Sequence, residues 1–280
     1  MGKFRLTEEQ LNFTETMGYL VLPGLLADRI DGIITAFEAI WADRGGGHGG
    51  NPHDGTARSC ILPFIDQHED LCALLDDERI DGIFASLLGE DYQYLGSDGN
   101  YYVGDTGWHS DGQWPRPIRY FKMALYLDPV GRDSGALRII PGSHRYGDQY
   151  AEMLQKQIRK SHDNWGIEGC EVPAVVLDSA PGDVVVFNQG CKHASFGGST
   201  RRRMFTINCT PRHTPEQLEL MRTEISAFAR FQVDQVYGET MLRTAGPERM
   251  RHLDQAQTCQ DHLPALSARY RAEHLESSRG

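Results

Sequence analysis

The centre of the chain alternates short β-rich segments with turn residues, and this pattern restricts the possible fold more than any other feature. Apolar and β-branched residues dominate residues 120–130, 136–144, 171–188 and 203–210, and Gly, Pro, Asp and Ser punctuate them. Short strands with such punctuation are typical of a sandwich or barrel. We therefore predict an all-β core of roughly eight strands with helices packed on one face.

Helical patterns flank this centre. Thr7 followed by Gln10 forms a capping-box pattern before a helical run that ends near Gly18. Residues 30–41 carry apolar side chains at the spacing of an amphipathic helix. We predict one domain over residues 1–280, with a helical N-terminal region at 5–90, a β core at about 90–212 and a helical C-terminal extension at 213–280.

Composition excludes several classes of protein. The 280 residues carry a formal net charge of -11, which opposes a broad binding surface for nucleic acid or an anionic membrane. The start of the chain has no apolar signal core and no run is long enough to span a bilayer, so we expect a cytoplasmic protein. The six cysteines have no paired spacing, which favours reduced thiols over a zinc ribbon or disulfide framework.

A histidine and an aspartate stand two residues apart at His109 and Asp111. In a strand, residues i and i+2 point to the same face, so an imidazole and a carboxylate can reach one point. Alone, this pair is more typical of a solvated strand end. Downstream, a turn at 181–183 leads into a strand, and His193 follows. Two histidines and one carboxylate with open coordination positions form the facial triad of non-haem Fe(II) oxygenases.

Four segments in this order and spacing carry a family resemblance. The chain resembles the phytanoyl-CoA dioxygenase-like (PhyH) family of Fe(II)/2-oxoglutarate-dependent oxygenases over most of residues 5–210. The segments are FTETMGYLVLPGLL (13–26), WHSD (108–111), SGALRIIPGSHR (134–145) and PGDVVVFNQGCKHAS with RRRMFTIN (181–208).

The resemblance implies a fold and a metal site. The fold is a double-stranded β-helix, also called a jelly roll or cupin-like core, with helices buttressing one sheet. The implied iron ligands are His109, Asp111 and His193, and the implied cofactors are Fe(II), 2-oxoglutarate as cosubstrate and O2.

The distal carboxylate of 2-oxoglutarate needs a cation inside the barrel, and bidentate pairing favours arginine over lysine. If a strand begins at Arg202, its face carries polar residues such as Thr206, while Phe205 points the other way. Arg202 is therefore the preferred residue. Arg203 is the second choice, because it would share a face with Phe205. A solvated turn explains Arg201 best.

Two further contacts to 2-oxoglutarate follow from the resemblance. Ser195 lies two residues after His193, where the family often has a small hydroxyl. Asn100, on the strand before the His109 turn, matches a position where relatives carry an amide. Either side chain could instead be a local turn or strand-edge polar group.

The candidate substrate pocket contains Gln113, Trp114, Lys122 and Tyr120. The inward face of the strand after Asp111 is predicted to start at Tyr120 and include Lys122, and a tryptophan of certain relatives falls near Ala124. Lys122 is placed either against 2-oxoglutarate or an anionic substrate, or at a strand margin with its ammonium in water. Trp114 lines the pocket mouth or, as aromatic residues more often do, packs in the core.

The resemblance implies a dioxygenase that hydroxylates an unactivated C–H bond of a small or medium metabolite, with release of succinate and CO2. The retained Asp111 disfavours halogenation, whereas desaturation, epoxidation and ring formation stay open. The alternatives from other classes are a cupin-like metal-binding protein or isomerase without 2-oxoglutarate, and a catalytically inactive interaction module. The expected partner is a small-molecule substrate, without nucleic acid or membrane, for a monomer or homodimer.

Overall fold

The computed structural model describes residues 3–112, 114 and 117–280. These residues form eleven strands, which lie in two antiparallel sheets. The strands are β1 Tyr19–Leu22, β2 Ser59–Ile61, β3 Gln93–Gly96, β4 Gly99–Tyr102, β5 Thr106–His109, β6 Phe121–Tyr126, β7 Leu137–Ile139, β8 Val175–Leu177, β9 Val184–Asn188, β10 His193–Ser195 and β11 Arg202–Thr210.

Helices precede, interrupt and follow the strands, and they hold more residues than the strands do. The α-helices are α1 Glu8–Met17, α2 Ile30–Asp43, α3 Glu69–Cys72, α4 Glu78–Leu88, α5 Gln149–Gln157, α6 Ser161–Trp165, α7 Leu218–Ser226, α8 Glu239–Thr244, α9 Pro247–Met250, α10 Asp254–Thr258 and α11 Leu263–Glu273. Short 3-10 helices lie at His48–Gly50, Ile65–Gln67, Ala73–Asp76, Ile158–Lys160, Gly169–Glu171, Pro215–Gln217 and Ala227–Phe231.

The two sheets have the antiparallel pairing of a double-stranded β-helix, which confirms the predicted fold class. The larger sheet has seven strands in the order β1-β9-β6-β11-β4-β2, with β3 beside the other half of β11. The smaller sheet has four strands in the order β5-β10-β7-β8. The strand count exceeds the predicted eight partly because β1 and β2, from the N-terminal region, pair with β9 and β4. The domain limits stay a prediction.

Helix α1, which leads into β1, begins with the predicted capping box. The Thr7 side chain accepts from the Gln10 backbone N–H, and the Gln10 side chain accepts from the Thr7 backbone N–H. The helix ends at Gly18, which has φ 85° and therefore lies in the left-handed region that favours glycine. A Cβ at Gly18 would overlap Cys191 Sγ and His144 Nδ1, so the close approach also requires glycine.

Alternation along β11 separates two cores. Phe205 points outward and packs with Phe37 and Phe64 in the larger core, between the larger sheet and the helices. Met204 points inward and packs with Phe187 between the two sheets. The larger sheet is therefore covered by helices on one face, and its other face forms the interior in which a site can be built.

We expect Phe205→Ala to lower the free energy of unfolding by about 3 to 5 kcal/mol, because Phe205 is fully buried and its loss leaves a cavity among aromatic rings. Urea denaturation followed by circular dichroism measures the change. Phe13→Ala is the matched control: Phe13 is 39% exposed, and we expect a loss below about 1 kcal/mol. Equal losses in the two variants would contradict the assigned core.

Candidate metal centre

Two histidines face each other across neighbouring strands of the smaller sheet. Strands β5 and β10 pair antiparallel with His109 opposite His193. The centroids of the two imidazole rings are 4.2 Å apart. Strand pairing thus brings together the histidines that the sequence predicted as ligands.

The carboxylate of Asp111 completes this cluster. Strand β5 ends at His109, and Asp111 lies just beyond the strand. The backbone N–H of Asp111 donates to Gln189 O at 2.9 Å and fixes the position of this residue. Its Oδ1 is 3.7 Å from His109 Nε2, and its Oδ2 is 3.7 Å from His193 Nε2. The three candidate ligand atoms all lie within 4.8 Å of one another, close enough to bind one metal ion.

Backbone carbonyls orient both imidazoles toward this point. His109 Nδ1 donates to Gly107 O at 2.8 Å, and His193 Nδ1 donates to Cys191 O at 2.9 Å. A carbonyl oxygen only accepts, so each Nδ1 carries the proton and each Nε2 presents a lone pair toward Asp111. Such hydrogen bonds are typical of metal-binding histidines.

The electrostatics favour the ligand forms of His193 and Asp111. Burial lowers the pKa of His193 to about 3, so its imidazole is neutral at pH 7. Burial alone would raise the pKa of Asp111, but the Lys122 ammonium outweighs it and holds that pKa well below its usual range. A neutral imidazole and an ionised carboxylate are the forms that bind a divalent cation.

Arg202 and Arg203 have opposite environments at the start of β11. Arg202 is 3% exposed, and within the described part of the chain its Nε and Nη1 have no hydrogen-bond partner. Arg203 instead donates to Asp128 and to Glu38 on the outer side of the sheet. The unpaired guanidinium is therefore that of Arg202, the residue preferred from the sequence.

Ser195 lies close to Arg202. Its hydroxyl donates to Gly135 O at 2.9 Å, and a Cβ on Gly135, which has φ 88°, would overlap Arg202 Nη1. Ser195 follows His193 by two residues on the same face of β10, a separation of about 7 Å along a strand. The interior thus places the Ser195 hydroxyl one strand repeat away from a candidate metal ligand, with the Arg202 guanidinium against Gly135.

Asn100 is part of a charged network that sequence reasoning missed. Its Oδ1 accepts from Arg58 Nε at 2.9 Å, and its Nδ2 donates to Asp98 Oδ2 at 2.7 Å. The Cζ atoms of Arg58 and Arg202 lie 4.1 and 5.1 Å from the centroid of the Tyr102 ring. No motif marked Arg58 or Asp98, because they stand in segments with the composition of ordinary turns.

The strand after Asp111 has the predicted inward face with one exception. Lys122 Nζ lies 2.7 Å from Asp111 Oδ2, and Ala124 and Tyr126 belong to the core between the sheets. Tyr120 precedes β6, so strand alternation does not apply to it. It packs in the larger core instead, with its hydroxyl 3.3 Å from His213 Nε2. Its predicted inward orientation is therefore wrong.

Trp114 lies against α5 and a buried lysine. Its Nε1 donates to Glu152 Oε1 at 3.1 Å, and Lys192 Nζ is 3.6 Å from the ring centroid. A role for Trp114 in substrate binding stays a prediction. Gln113, the other predicted pocket residue of this segment, lies outside the described residues. Among the described helices, none combines the length and apolar character needed to cross a membrane.

Solved structures of other proteins share this fold at low identity. The carbocyclase SnoK from nogalamycin biosynthesis, described as non-haem and α-ketoglutarate-dependent, is 20% identical with a TM-score of 0.59, and the match covers 78% of this chain and 90% of SnoK. HygX from Streptomyces hygroscopicus, with nickel and 2-oxoglutarate bound, is 18% identical with a TM-score of 0.56, covering 74% of this chain and 88% of HygX. EctD from S. alaskensis, with 2-oxoglutarate and 5-hydroxyectoine, is 23% identical with a TM-score of 0.56, covering 74% of this chain and 76% of EctD.

A comparison with family models identifies the family. The model for phytanoyl-CoA dioxygenase (PhyH) matches residues 14–205, which is more than half of the chain. This range includes the three candidate metal ligands and Arg202. No curated protein sequence matches the chain. The chain belongs to the phytanoyl-CoA dioxygenase (PhyH) family.

Proposed function

We propose that this protein is an Fe(II)/2-oxoglutarate-dependent dioxygenase that hydroxylates an unactivated C–H bond of a small or medium metabolite. The observation that carries the proposal is the buried, unpaired guanidinium of Arg202 beside a His, Asp, His cluster. A buried cation without a counter-charge is unfavourable unless a ligand supplies one. A dicarboxylate bound to the metal supplies it.

The donor set suits Fe(II). His109, His193 and Asp111 offer two imidazole nitrogens and one carboxylate oxygen, and the set leaves coordination positions open. When bound, Fe(II) with 2-oxoglutarate and O2 supplies the oxidation of the C–H bond and the release of succinate and CO2. The protein holds both imidazoles in one orientation through the carbonyls of Gly107 and Cys191.

The positions of Ser195 and Arg202 suit the far end of the cosubstrate. The distance of about 7 Å between residues i and i+2 of a strand is close to the length of a five-carbon dicarboxylate. We assign the distal carboxylate to Arg202 and Ser195. Both polar atoms of the Asn100 amide are already bonded, so Asn100 acts through Arg58, which it holds beside Tyr102.

Other outcomes of the same chemistry are distinguished by the product. Desaturation and ring formation remove two hydrogen atoms, whereas hydroxylation and epoxidation add an oxygen atom. Two of the proteins with the same fold are described as a carbocyclase and an epimerase, so the fold supports more than one outcome. A cupin-like protein without 2-oxoglutarate would leave Arg202 without a partner, which is why we prefer the oxygenase.

We expect His109→Ala to abolish specific binding of Co(II), a spectroscopic substitute for Fe(II), because one of three ligands is lost. Isothermal titration and the visible spectrum of the bound ion measure this under anaerobic conditions. His162→Ala is the control, since His162 is exposed and pairs with Glu168 far along the chain from the cluster. Retention of full Co(II) affinity by His109→Ala would refute the ligand assignment.

Arg202→Gln should weaken the binding of 2-oxoglutarate to the Ni(II)-loaded protein by about tenfold to a hundredfold, the usual effect of losing charged hydrogen bonds. Isothermal titration measures the affinity, and Ni(II) prevents turnover. Arg203→Gln should keep the affinity of the parent protein, because Arg203 bonds to Asp128 and Glu38. The reverse result would assign the cosubstrate to Arg203.

A screen of small polar metabolites, amino acids, phosphonates and acyl-CoA thioesters should find compounds that stimulate succinate release from 2-oxoglutarate. Mass spectrometry of the product then separates oxygen insertion from loss of hydrogen. The His109→Ala variant, run in parallel, should release no succinate above background. Absence of 2-oxoglutarate-dependent succinate release across the screen, with Fe(II) bound, would argue for the cupin-like alternative.

A further inference from the structure

A half-buried lysine between the two sheets shares its carboxylate partner with the candidate metal site. Lys122 Nζ lies 2.7 Å from Asp111 Oδ2. We propose that the substrate carries an anionic group, a carboxylate or a phosphorus oxyanion, and that Lys122 binds it. This inference rests on the proposed oxygenase function and names the substrate class for the same site.

The position of Lys122 directs its ammonium into the interior. Lys122 lies on β6, the strand between β9 and β11 in the larger sheet, with Phe187 and Asn208 as its register neighbours. Its side chain is 19% exposed and shares a face with Ala124, which packs between the sheets. A ligand that enters the interior beside Asp111 therefore meets this ammonium.

Metal binding changes the partner of Lys122. Lys122 and Asp111 form an ion pair, and the same Oδ2 lies 3.7 Å from His193 Nε2. A divalent cation held by the cluster takes up the charge of Asp111. The ammonium and the metal ion are then two cations beside one carboxylate, so Lys122 needs a second anion.

The other acidic group of the interior is already paired. Asp98 Oδ2 accepts from Asn100 and lies 3.2 Å from Arg58 Nη2. Asp98 Oδ1 accepts from Thr206. In residues 3–112, 114 and 117–280, Asp111 is the carboxylate that forms an ion pair with Lys122. Among these described residues, no second carboxylate forms an ion pair with Lys122 once Asp111 binds a metal ion.

Charge balance leads to the same conclusion. The described interior side chains around the cluster comprise three cations, Arg58, Lys122 and Arg202, and two anions, Asp98 and Asp111. Fe(II) and the dianion 2-oxoglutarate cancel each other. One positive charge is left over in this partly buried region, although the whole chain carries a formal net charge of -11. A substrate with one negative charge compensates it.

Polar groups beside Lys122 favour a hydrophilic substrate. Asn208, its register neighbour, accepts from Gln189 Nε2 at 3.0 Å and donates to Thr206 Oγ1 at 3.1 Å. The Asn208 amide also donates to Gly96 O, so these groups are bonded within the protein. They make the surface beside the ammonium hydrophilic and poorly matched to a hydrocarbon chain.

The test measures anion binding to the protein loaded with Ni(II) and 2-oxoglutarate, so that no turnover is needed. The probes are inorganic phosphate and acetate, and isothermal titration gives their affinities. We expect Lys122→Met to weaken the binding of at least one probe by about tenfold or more, and Lys122→Arg to restore it. Lys3→Met, at an exposed position, is the matched control and should bind like the parent protein.

Four outcomes decide the inference. Unchanged Ni(II) affinity in Lys122→Met shows that the cluster is intact, and loss of probe binding then supports the proposal. Equal probe binding by Lys122→Met and the parent protein overturns the proposal. Loss of affinity for 2-oxoglutarate in Lys122→Met also overturns it, because that result assigns Lys122 to the cosubstrate. If the parent protein binds Ni(II) but not 2-oxoglutarate, the proposed function fails first.

In the succinate assay, active acids should lose their effect when converted to primary amides.

Discussion

The pairing of β5 with β10 is the contact on which the candidate metal centre depends. It sets His109 opposite His193, and the loop before β10 also fixes Asp111 through the carbonyl of Gln189. Because side chains alternate along a strand, a slip of one residue in this register would turn an imidazole out of the interior. The carbonyl of Cys191 then holds the ring of His193 within that register.

The same alternation decides which arginine is available to a ligand. Arg202 and Arg203 are neighbours at the start of β11, yet one guanidinium is enclosed by the barrel and the other pairs with Asp128 and Glu38. Arg203 is stabilised by the protein itself, whereas Arg202 is buried without such stabilisation. The position of Arg202 next to Gly135, which accepts from Ser195, is the basis on which we propose it as the partner of a carboxylate ligand.

The helices make this arrangement rigid. Phe37 and Trp41 of α2 pack on the outer face of the larger sheet with Phe64 and Phe205. On the smaller sheet, Trp108 and neighbouring apolar residues pack under the α5 region. With both outer faces covered, the strands hold the interior polar groups in place, and a site on rigid strands is placed more precisely than one on loops.

Local pattern was enough to predict several of these features. The spacing of His109 and Asp111, the alternation that favours Arg202, and the capping residues Thr7 and Gln10 depend on neighbours in the sequence, and strand and helix periodicity govern such neighbours. The inward position of Lys122 followed from the same rule. The rule failed at Tyr120, because the strand begins one residue later.

Contacts between distant segments were decided by the tertiary structure alone. The pairing of Arg58 with Asp98 and Asn100, and of Lys122 with Asp111, depends on the register of separate strands and on the path of the N-terminal region, which adds β1 and β2 to the larger sheet. Sequence periodicity determines which face a side chain occupies. It carries no information about which charge lies opposite, because that is set by long-range packing.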